Sequence, residues 1–344
     1  MSTILQSEIW AKFQEANGHK VLKDQGPGWH FIATVEGGRT GRYLYCPYGP
    51  EAESPQAFDQ AVARLRELAA AQGCWFLRVE PTNPALWASY PSGSAFLAAR
   101  GFRLSPRQIQ PSHTQIIDLT LSQEELLKDM KATNRNLHRN IHKKGVSFET
   151  SQKPEDLPIL LGFLQETAGR VGFNRQQDAY LTKVAQVLMP ADAATLYIAR
   201  LEGEPVGAAL VYDSDDTRVY AHAATSFAHR KLQVGNPLLS TIILDAQAKG
   251  LKTMDLFGIA PDDDPEHEWA GFTKFKKSFG GRSVSYPGTW DLPISAAGYR
   301  AYLASRQAQQ GLGQARSLAQ TKLLPQAKKL LAQLEQKVGK KPAQ

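Results

Sequence analysis

Cysteine is scarce: Cys46 and Cys74 are the only two in 344 residues. Two thiols build neither a disulfide framework nor a cysteine zinc site. Long hydrophobic runs are missing as well, and none approaches the ~18 consecutive apolar residues of a membrane span. The opening segment 1–10 has no basic n-region and no apolar h-region, so no secretory signal is expected. What remains is a soluble chain of a reducing compartment, expected in the cytoplasm. Hydrophobic residues at 42% and charged residues at 21% are ordinary globular values, and 344 residues suit two domains better than one.

Acidic residues are locally scarce too. Residues 296–344 hold nine Lys and Arg against Glu335 alone, a local +8 in a chain whose net charge is +7. Such a tail attracts phosphates, whether of nucleic acid or of the inner membrane leaflet, and peripheral membrane contact through 296–344 is one expectation. Leu323, Ala327, Leu330, Leu334 and Val338 give the tail an apolar stripe on which it can dock.

Periodicity gives a mixed α/β order. Strands are expected at 30–36, 42–46, 75–79, 114–119, 194–201, 205–212, 217–224, 252–257 and 283–287. Helices are expected at 55–72, 122–143, 154–169, 176–188, 235–249 and 297–338. An internal repeat underlies this order. RELAAAQGCWFLRVEP at 66–81 aligns with ILDAQAKGLKTMDLFG at 243–258, which sets Ala69 against Ala246, Gly73 against Gly250 and Val79 against Leu256. Further on, Phe96 to Phe102 falls against Phe275 to Gly281 at nearly the same offset. Each copy reads as a helix ending at Gly, a buried strand, a linker, and a short helix closing on Gly.

Each half resembles the GCN5-related N-acetyltransferase (GNAT) fold, whose last helix often ends as Phe96 to Phe102 does. The tandem resembles the FemABX family, which transfers amino acids from aminoacyl-tRNA to peptidoglycan precursors. The resemblance rests on Gln6-Ser7-x-x-Trp10, Tyr48-Gly49-Pro50, Leu77 to Pro81, Asp255 to Ile259, and Gly271-x-x-x-Phe275-Lys276-x-x-Phe279-Gly280. No coiled-coil arm is present, which is similar to the compact type. The expected division is 1–147 for a first GNAT-like domain able to recruit the C-terminal segment, 148–295 for a second, and 296–344 for the tail.

The resemblance implies an aminoacyltransferase with aminoacyl-tRNA as co-substrate, no cofactor and no metal. It assigns Phe275 and Lys276 to the reaction site, Lys276 supporting the oxyanion of the tetrahedral intermediate. On residue chemistry alone, Lys274, Lys276 and Lys277 also read as the solvated face of a short helix. The resemblance further carries precursor binding onto Arg175 and Tyr180, with a spacing one residue longer than usual, and onto Trp75, Glu80 and His222. Arg175 also reads as a solvated residue at a helix start, and His222 as a structural hydrogen-bonder. Arg78 and Glu80 share a strand face and read equally as an intrastrand ion pair. Where the compact type has a phosphate-neutralising lysine, this chain has Gln14, and Lys12 is the nearest cation.

The expected helix 122–143 carries Lys128, Lys131, Arg135 and Arg139 at spacings of 3, 4 and 4, a basic stripe suited to a tRNA backbone. His138 and His142 lack a third ligand for a metal. An acyl-CoA-dependent N-acyltransferase is the rival reading. It needs a Gly-rich loop over the pyrophosphate, and here Gln233 stands for the first Gly while Pro237 removes an N–H. A non-catalytic adaptor for tRNA or the cell envelope, and transfer to a protein N-terminus, are further alternatives.

Overall fold

The computed structural model describes residues 3–38, 41–171, 175–261 and 266–318. The chain opens with α1 (Glu8–Ala16), β1 (Lys20–Gly26), β2 (Trp29–Glu36), β3 (Tyr43–Cys46), β4 (Glu51–Ala52), α2 (Pro55–Ala71), β5 (Phe76–Val79), α3 (Gly93–Ala98) and β6 (Arg103–Leu104). It continues with β7 (His113–Asp118), α4 (Gln123–Asp129), α5 (Ala132–Asn140), β8 (Val146–Ser151), α6 (Leu157–Val171) and α7 (Asp178–Leu188). Next come β9 (Ala194–Leu201), β10 (Glu204–Asp213), β11 (Thr217–Thr225), α8 (Gly235–Ala248) and β12 (Thr253–Gly258). The last elements are α9 (Ala270–Lys277), β13 (Arg282–Ser285), β14 (Trp290–Pro293) and α10 (Ala296–Leu318).

The strands form two sheets. One runs β1-β2-β3-β5-β14-β6 with β4 beside β2, and the other runs β13-β7-β12-β11-β10-β9-β8. The repeat is visible as α2-β5-α3-β6 against α8-β12-α9-β13. Gly73 (φ +66°) and Gly250 (φ +81°) each end the long helix in the left-handed conformation that favours glycine. A serine hydroxyl opens three of the first-half helices: Ser7, Ser54 and Ser92 accept from the N–H groups of Trp10, Ala57 and Ala95.

The two halves exchange a strand. β7 leaves the first half and inserts between β12 and β13, while β14 leaves the second and inserts between β5 and β6. Their first residues, His113 and Trp290, are as far apart in the chain as Gly73 and Gly250, so the exchanged strands obey the sequence repeat. The sheets therefore divide the chain near 105–112 and not at 147/148. Ile117 and Leu119, with Leu126, Met130 and Ile141 after them, bury against α8 in the second core, which draws the whole 113–144 segment there.

The exchange is held by charge buried in the first sheet. Arg78 on β5 donates to both carboxylate oxygens of Asp291 on β14, at 2.6 and 2.8 Å, with side chains 1% and 0% exposed. The sequence suggested an ion pair of Arg78 with Glu80; the structure instead pairs Arg78 across the exchanged strand, because burial demands a bidentate partner directly opposite. The start of α10 closes this face. Tyr302 and Tyr299 pack on Phe76, Arg78 reaches the Tyr302 hydroxyl at 3.3 Å, and the Tyr299 hydroxyl donates to Asp291 at 3.2 Å. The first turns of the basic tail are thus part of the core, while its expected stripe at 323–338 lies outside the described residues.

Removing the carboxylate strands a buried guanidinium. Asp291→Ala is expected to cost ~3–5 kcal/mol of unfolding free energy, read as a lowered urea midpoint.

Candidate active site

In the second sheet β11 and β12 run parallel but pair only over Thr217–Val219 against Thr253–Asp255. Beyond that they part. β12 is irregular against β7 between Asp255 and Gly258, and Phe257 takes φ +65°, a rare conformation for a bulky residue. The parting strands leave two cavities that share Ala221, His222 and Phe257 as a common wall: an inner one of about 140 Å³ and an outer one of about 510 Å³. A third cavity of about 290 Å³ adjoins the inner one at Trp10, Gln176 and Tyr180, on the side of the first sheet. Three adjoining cavities thus lie in series from the first sheet to the gap in the second.

Lys276, near the end of α9, lines the outer cavity. Its ammonium donates to the Gly258 carbonyl at 2.6 Å, at the end of β12. A Cβ at Gly258 would meet the Trp269 ring at 2.9 Å, so only glycine lets the strand end come this close. The α4–α5 corner grips the end of α9. Lys131 N–H donates to the Ser278 carbonyl at 2.9 Å, Asn134 donates to the same carbonyl at 3.0 Å and to the Ser278 hydroxyl at 2.8 Å, and Asp129 accepts from Gly281 N–H at 2.7 Å. Burial pulls the Lys276 pKa down to about 8, against an opposing pull from Asp255. Phe275 stands beside it in the same lining and meets Phe279 edge-on, with ring centroids 5.1 Å apart.

Other expected residues divide. His222 lies in the shared wall, and burial lowers its pKa to about 4, so it is neutral at pH 7. Tyr180 lines the inner and third cavities, its phenol pushed up to about 12 by burial. Arg175 is not with it: its guanidinium is paired with Asp178, and Gln176 lines the cavities instead. Lys12 is exposed on α1 and lines none of the three cavities, whereas Gln14 lines the third. Trp75 stands one residue before β5 and packs on α10, so close that a Cβ at Gly298 would meet its ring at 2.6 Å. Glu80 is a junction. It accepts from the Tyr45 hydroxyl at 2.7 Å, the Thr289 hydroxyl at 2.5 Å and Gln110 N–H at 3.1 Å, tying both crossing segments to β5.

The expected basic stripe is broken. The helix stops at Met130 and restarts after Lys131, both with extended ψ near +149° and +145°. Arg135 bends back to donate to the carbonyls of Leu127, Lys128 and Met130, capping α4. Lys128, Lys131 and Arg139 stay exposed, but Arg135 is spent on the corner and the four do not form one face. Among the described residues no three of His, Cys, Asp or Glu converge as a metal-ligand set, and no helix is long and apolar enough to cross a membrane.

Asp255 and Tyr212 of the inner cavity carry no role in the sequence reading. Asp255 is the one charged side chain in its lining, and Tyr212 has a buried hydroxyl with no hydrogen-bond partner among the described residues. Asp255 lies inside the Asp255–Ile259 motif, but only the parting of β11 from β12 reveals that it borders a cavity.

Residues 128–269 match the family described as Acetyltransferase (GNAT) domain. Over 109 residues the chain is 30% identical to a lipid II:glycine glycyltransferase of Staphylococcus epidermidis, covering 31% of this chain and 26% of that protein. Over 155 residues it is 25% identical to the enzyme of the same name from Staphylococcus haemolyticus, covering 44% and 37%. The chain therefore matches well under half the length of these relatives. A crystal structure of FemX superposes with a TM-score of 0.76 at 18% identity, over 87% of this chain and 94% of that one. The chain has the tandem-GNAT fold of the FemABX family. The C-terminal domain of a putative lysylphosphatidylglycerol synthetase from Agrobacterium fabrum shares the FemABX-like fold less closely, with a TM-score of 0.56 at 14% identity, over 88% and 92%.

Lys276 in this FemABX fold titrates at about 8 when folded and at the ordinary lysine value of 10.5 when unfolded. Between those values the unfolded chain binds more protons, so stability rises with pH across that window. Urea midpoints should show this rise from about pH 8 to 10.5 in the wild type and lack it in Lys276→Met.

Proposed function

We propose that this protein is an aminoacyltransferase, moving an amino acid from aminoacyl-tRNA to the stem-peptide amine of a peptidoglycan precursor. The observation that carries this reading is the half-buried Lys276 ammonium, fixed in the outer cavity against the wall it shares with the inner one. An aminoacyl ester is already activated, so the protein needs to align an amine with it and stabilise the oxyanion that develops. Lys276 can do this: with a pKa of about 8 it is mostly protonated at pH 7, and the Gly258 carbonyl takes one of its three donors.

The cavity on the first-sheet side suits the precursor. Trp10, Tyr45 and Tyr180 offer aromatic faces there, with Gln14, Gln110 and Gln176 as neutral hydrogen-bonders. The outer cavity suits the tRNA end. At its rim Arg170 and Arg230 stack over exposed Phe227, at 4.6 and 4.2 Å from the ring centroid, the mix of aromatic and guanidinium that single-stranded RNA favours. The names of the staphylococcal relatives support the same chemistry. The GNAT match keeps acyl-CoA as a second reading. Against it, Gln233 adopts φ +52°, the conformation of the missing glycine, and places a side chain in the lining where a pyrophosphate would need bare backbone.

The deciding experiment supplies charged tRNAs or acetyl-CoA together with soluble and lipid-linked precursors, and reads the mass increment. Aminoacyl addition is expected, and acetyl addition alone would reverse the assignment. Lys276→Met should lower kcat on the order of 100-fold with little change in precursor affinity, since the charge acts mainly in the transition state. Exposed Lys274→Met should change it little. Truncation after Leu318 spares Tyr299 and Tyr302 but removes six lysines and Glu335, a net +5. Affinity for tRNA and for anionic vesicles is expected to fall in that variant, with a flatter salt dependence.

A further inference from the structure

The transfer reading leaves one proton without a destination. A primary amine reaches the site mainly as an ammonium at pH 7, and only the neutral amine attacks an ester. Among the described residues the inner cavity holds a single charged side chain, Asp255, at the point where β12 leaves β11. Its carboxylate is 5% exposed and fixed through one oxygen: Oδ1 accepts from the Thr114 hydroxyl of β7 and from Phe257 N–H at 2.7 Å. No hydrogen bond to Oδ2 occurs among the described residues. Lys276 stands on the other side of the Phe257–His222 wall, near enough to interact electrostatically with Asp255 but not in ion-pair contact.

The groups that face Asp255 are Thr114 from β7, Lys276 from α9, and the phenols of Tyr48 and Tyr286. Burial raises the Asp255 pKa, with the Thr114 and Phe257 hydrogen bonds and Lys276 opposing. A carboxylate so placed is a stronger base than one in water, and Lys276 helps keep it ionised. Trp10, Tyr180 and Tyr212 add aromatic faces to otherwise neutral walls, so among the described residues an entering ammonium finds one counter-charge. The Tyr212 hydroxyl, without a partner among the described residues, is left to bond a polar group of the same ligand.

We propose that Asp255 receives the acceptor's ammonium group in the inner cavity and takes its proton. The step rests on the transfer reading above. The ammonium gives one proton to the Asp255 carboxylate, and the freed lone pair forms the C–N bond at the ester carbonyl. The carbonyl π pair moves to oxygen, beside the Lys276 ammonium. Collapse breaks the C–O bond to the ribose, whose oxygen takes the second proton from nitrogen, and Asp255 returns its proton to water. Net, ammonium and ester give amide, alcohol and one proton.

Asp255→Asn keeps the Oδ1 acceptor and hence the Thr114 and Phe257 bonds. Transfer from aminoacyl-tRNA would be compared on two soluble muramyl pentapeptides at pH 7, one with a free side-chain amine and one with an aminooxy group, which is already neutral. The variant should lose ~100-fold or more on the amine and less than ~10-fold on the aminooxy acceptor. Equal losses on both would mean that Asp255 acts through Lys276 or through packing, and no loss on the amine would remove its role. Wild-type turnover tests the transfer reading, while the ratio of variant to wild type tests Asp255, so the two can fail separately. Should the wild type transfer to neither, calorimetry with the free-amine and N-acetylated pentapeptides decides. The wild type should prefer the free amine and the variant should not; a wild type without preference overturns the proposal.

Discussion

Two strands cross between the sheets, and the rest of the molecule depends on where they land. β14 closes the first sheet between β5 and β6, and β7 closes the second between β12 and β13. Neither sheet is continuous without a strand from the far side of the chain, so the halves cannot separate without exposing unpaired backbone on both. Arg78 and Asp291 fix one crossing from within the first sheet. A buried pair of this kind adds little net stability over an apolar pair, but it penalises every register that leaves one charge alone. Glu80 extends that constraint, since its carboxylate ties the segments entering β7 and leaving β13 to the same strand end.

The site inherits its geometry from this exchange. β7 pairs with β12 on the side away from β11, and the irregularity in that pairing turns Phe257 and presents Asp255 inward. α5, drawn into the second core by β7, brings Asn134 and Lys131 onto the end of α9. Lys276 is therefore positioned by the end of β12, which accepts from its ammonium, and by the α4–α5 corner, which holds the end of its helix, and neither is a neighbour in sequence. A lysine on a free short helix would keep its ordinary pKa; this one is lowered because the packed corner removes water around it.

The first-sheet cavity carries charge of both signs. Gln14 lines it as a neutral side chain, and its charged lining among the described residues is Arg107 with Glu36, which itself pairs with His19 at 3.1 Å. A carboxylate in that lining opposes a phosphate that Arg107 would attract, so the cavity offers aromatic contact and hydrogen bonding more than net positive charge.

Periodicity alone determined nine strands and the helices expected at 55–72, 154–169, 176–188 and 235–249, because buried β-branched and apolar residues alternate or recur with fixed periods, whereas the helix expected at 122–143 is split at Met130. The constant offset that sets Gly73 against Gly250 determined the tandem architecture, and it applies even to β7 and β14, which lie outside the aligned segments. β1, β8 and β14 were not legible: KVLKDQG and VSFETS are largely polar edge-type strands, and WDLP is short and ends in proline. The resemblance located Lys276, Phe275, Tyr180 and His222 at the cavities, since local motifs fix which element carries a side chain. Only the tertiary structure decided the use of Trp75, Glu80, Arg135 and Arg175, because a hydrogen-bonding or aromatic group is equally suited to a ligand and to a buried neighbour. Its partner is chosen by the packing of distant segments, which no local pattern encodes.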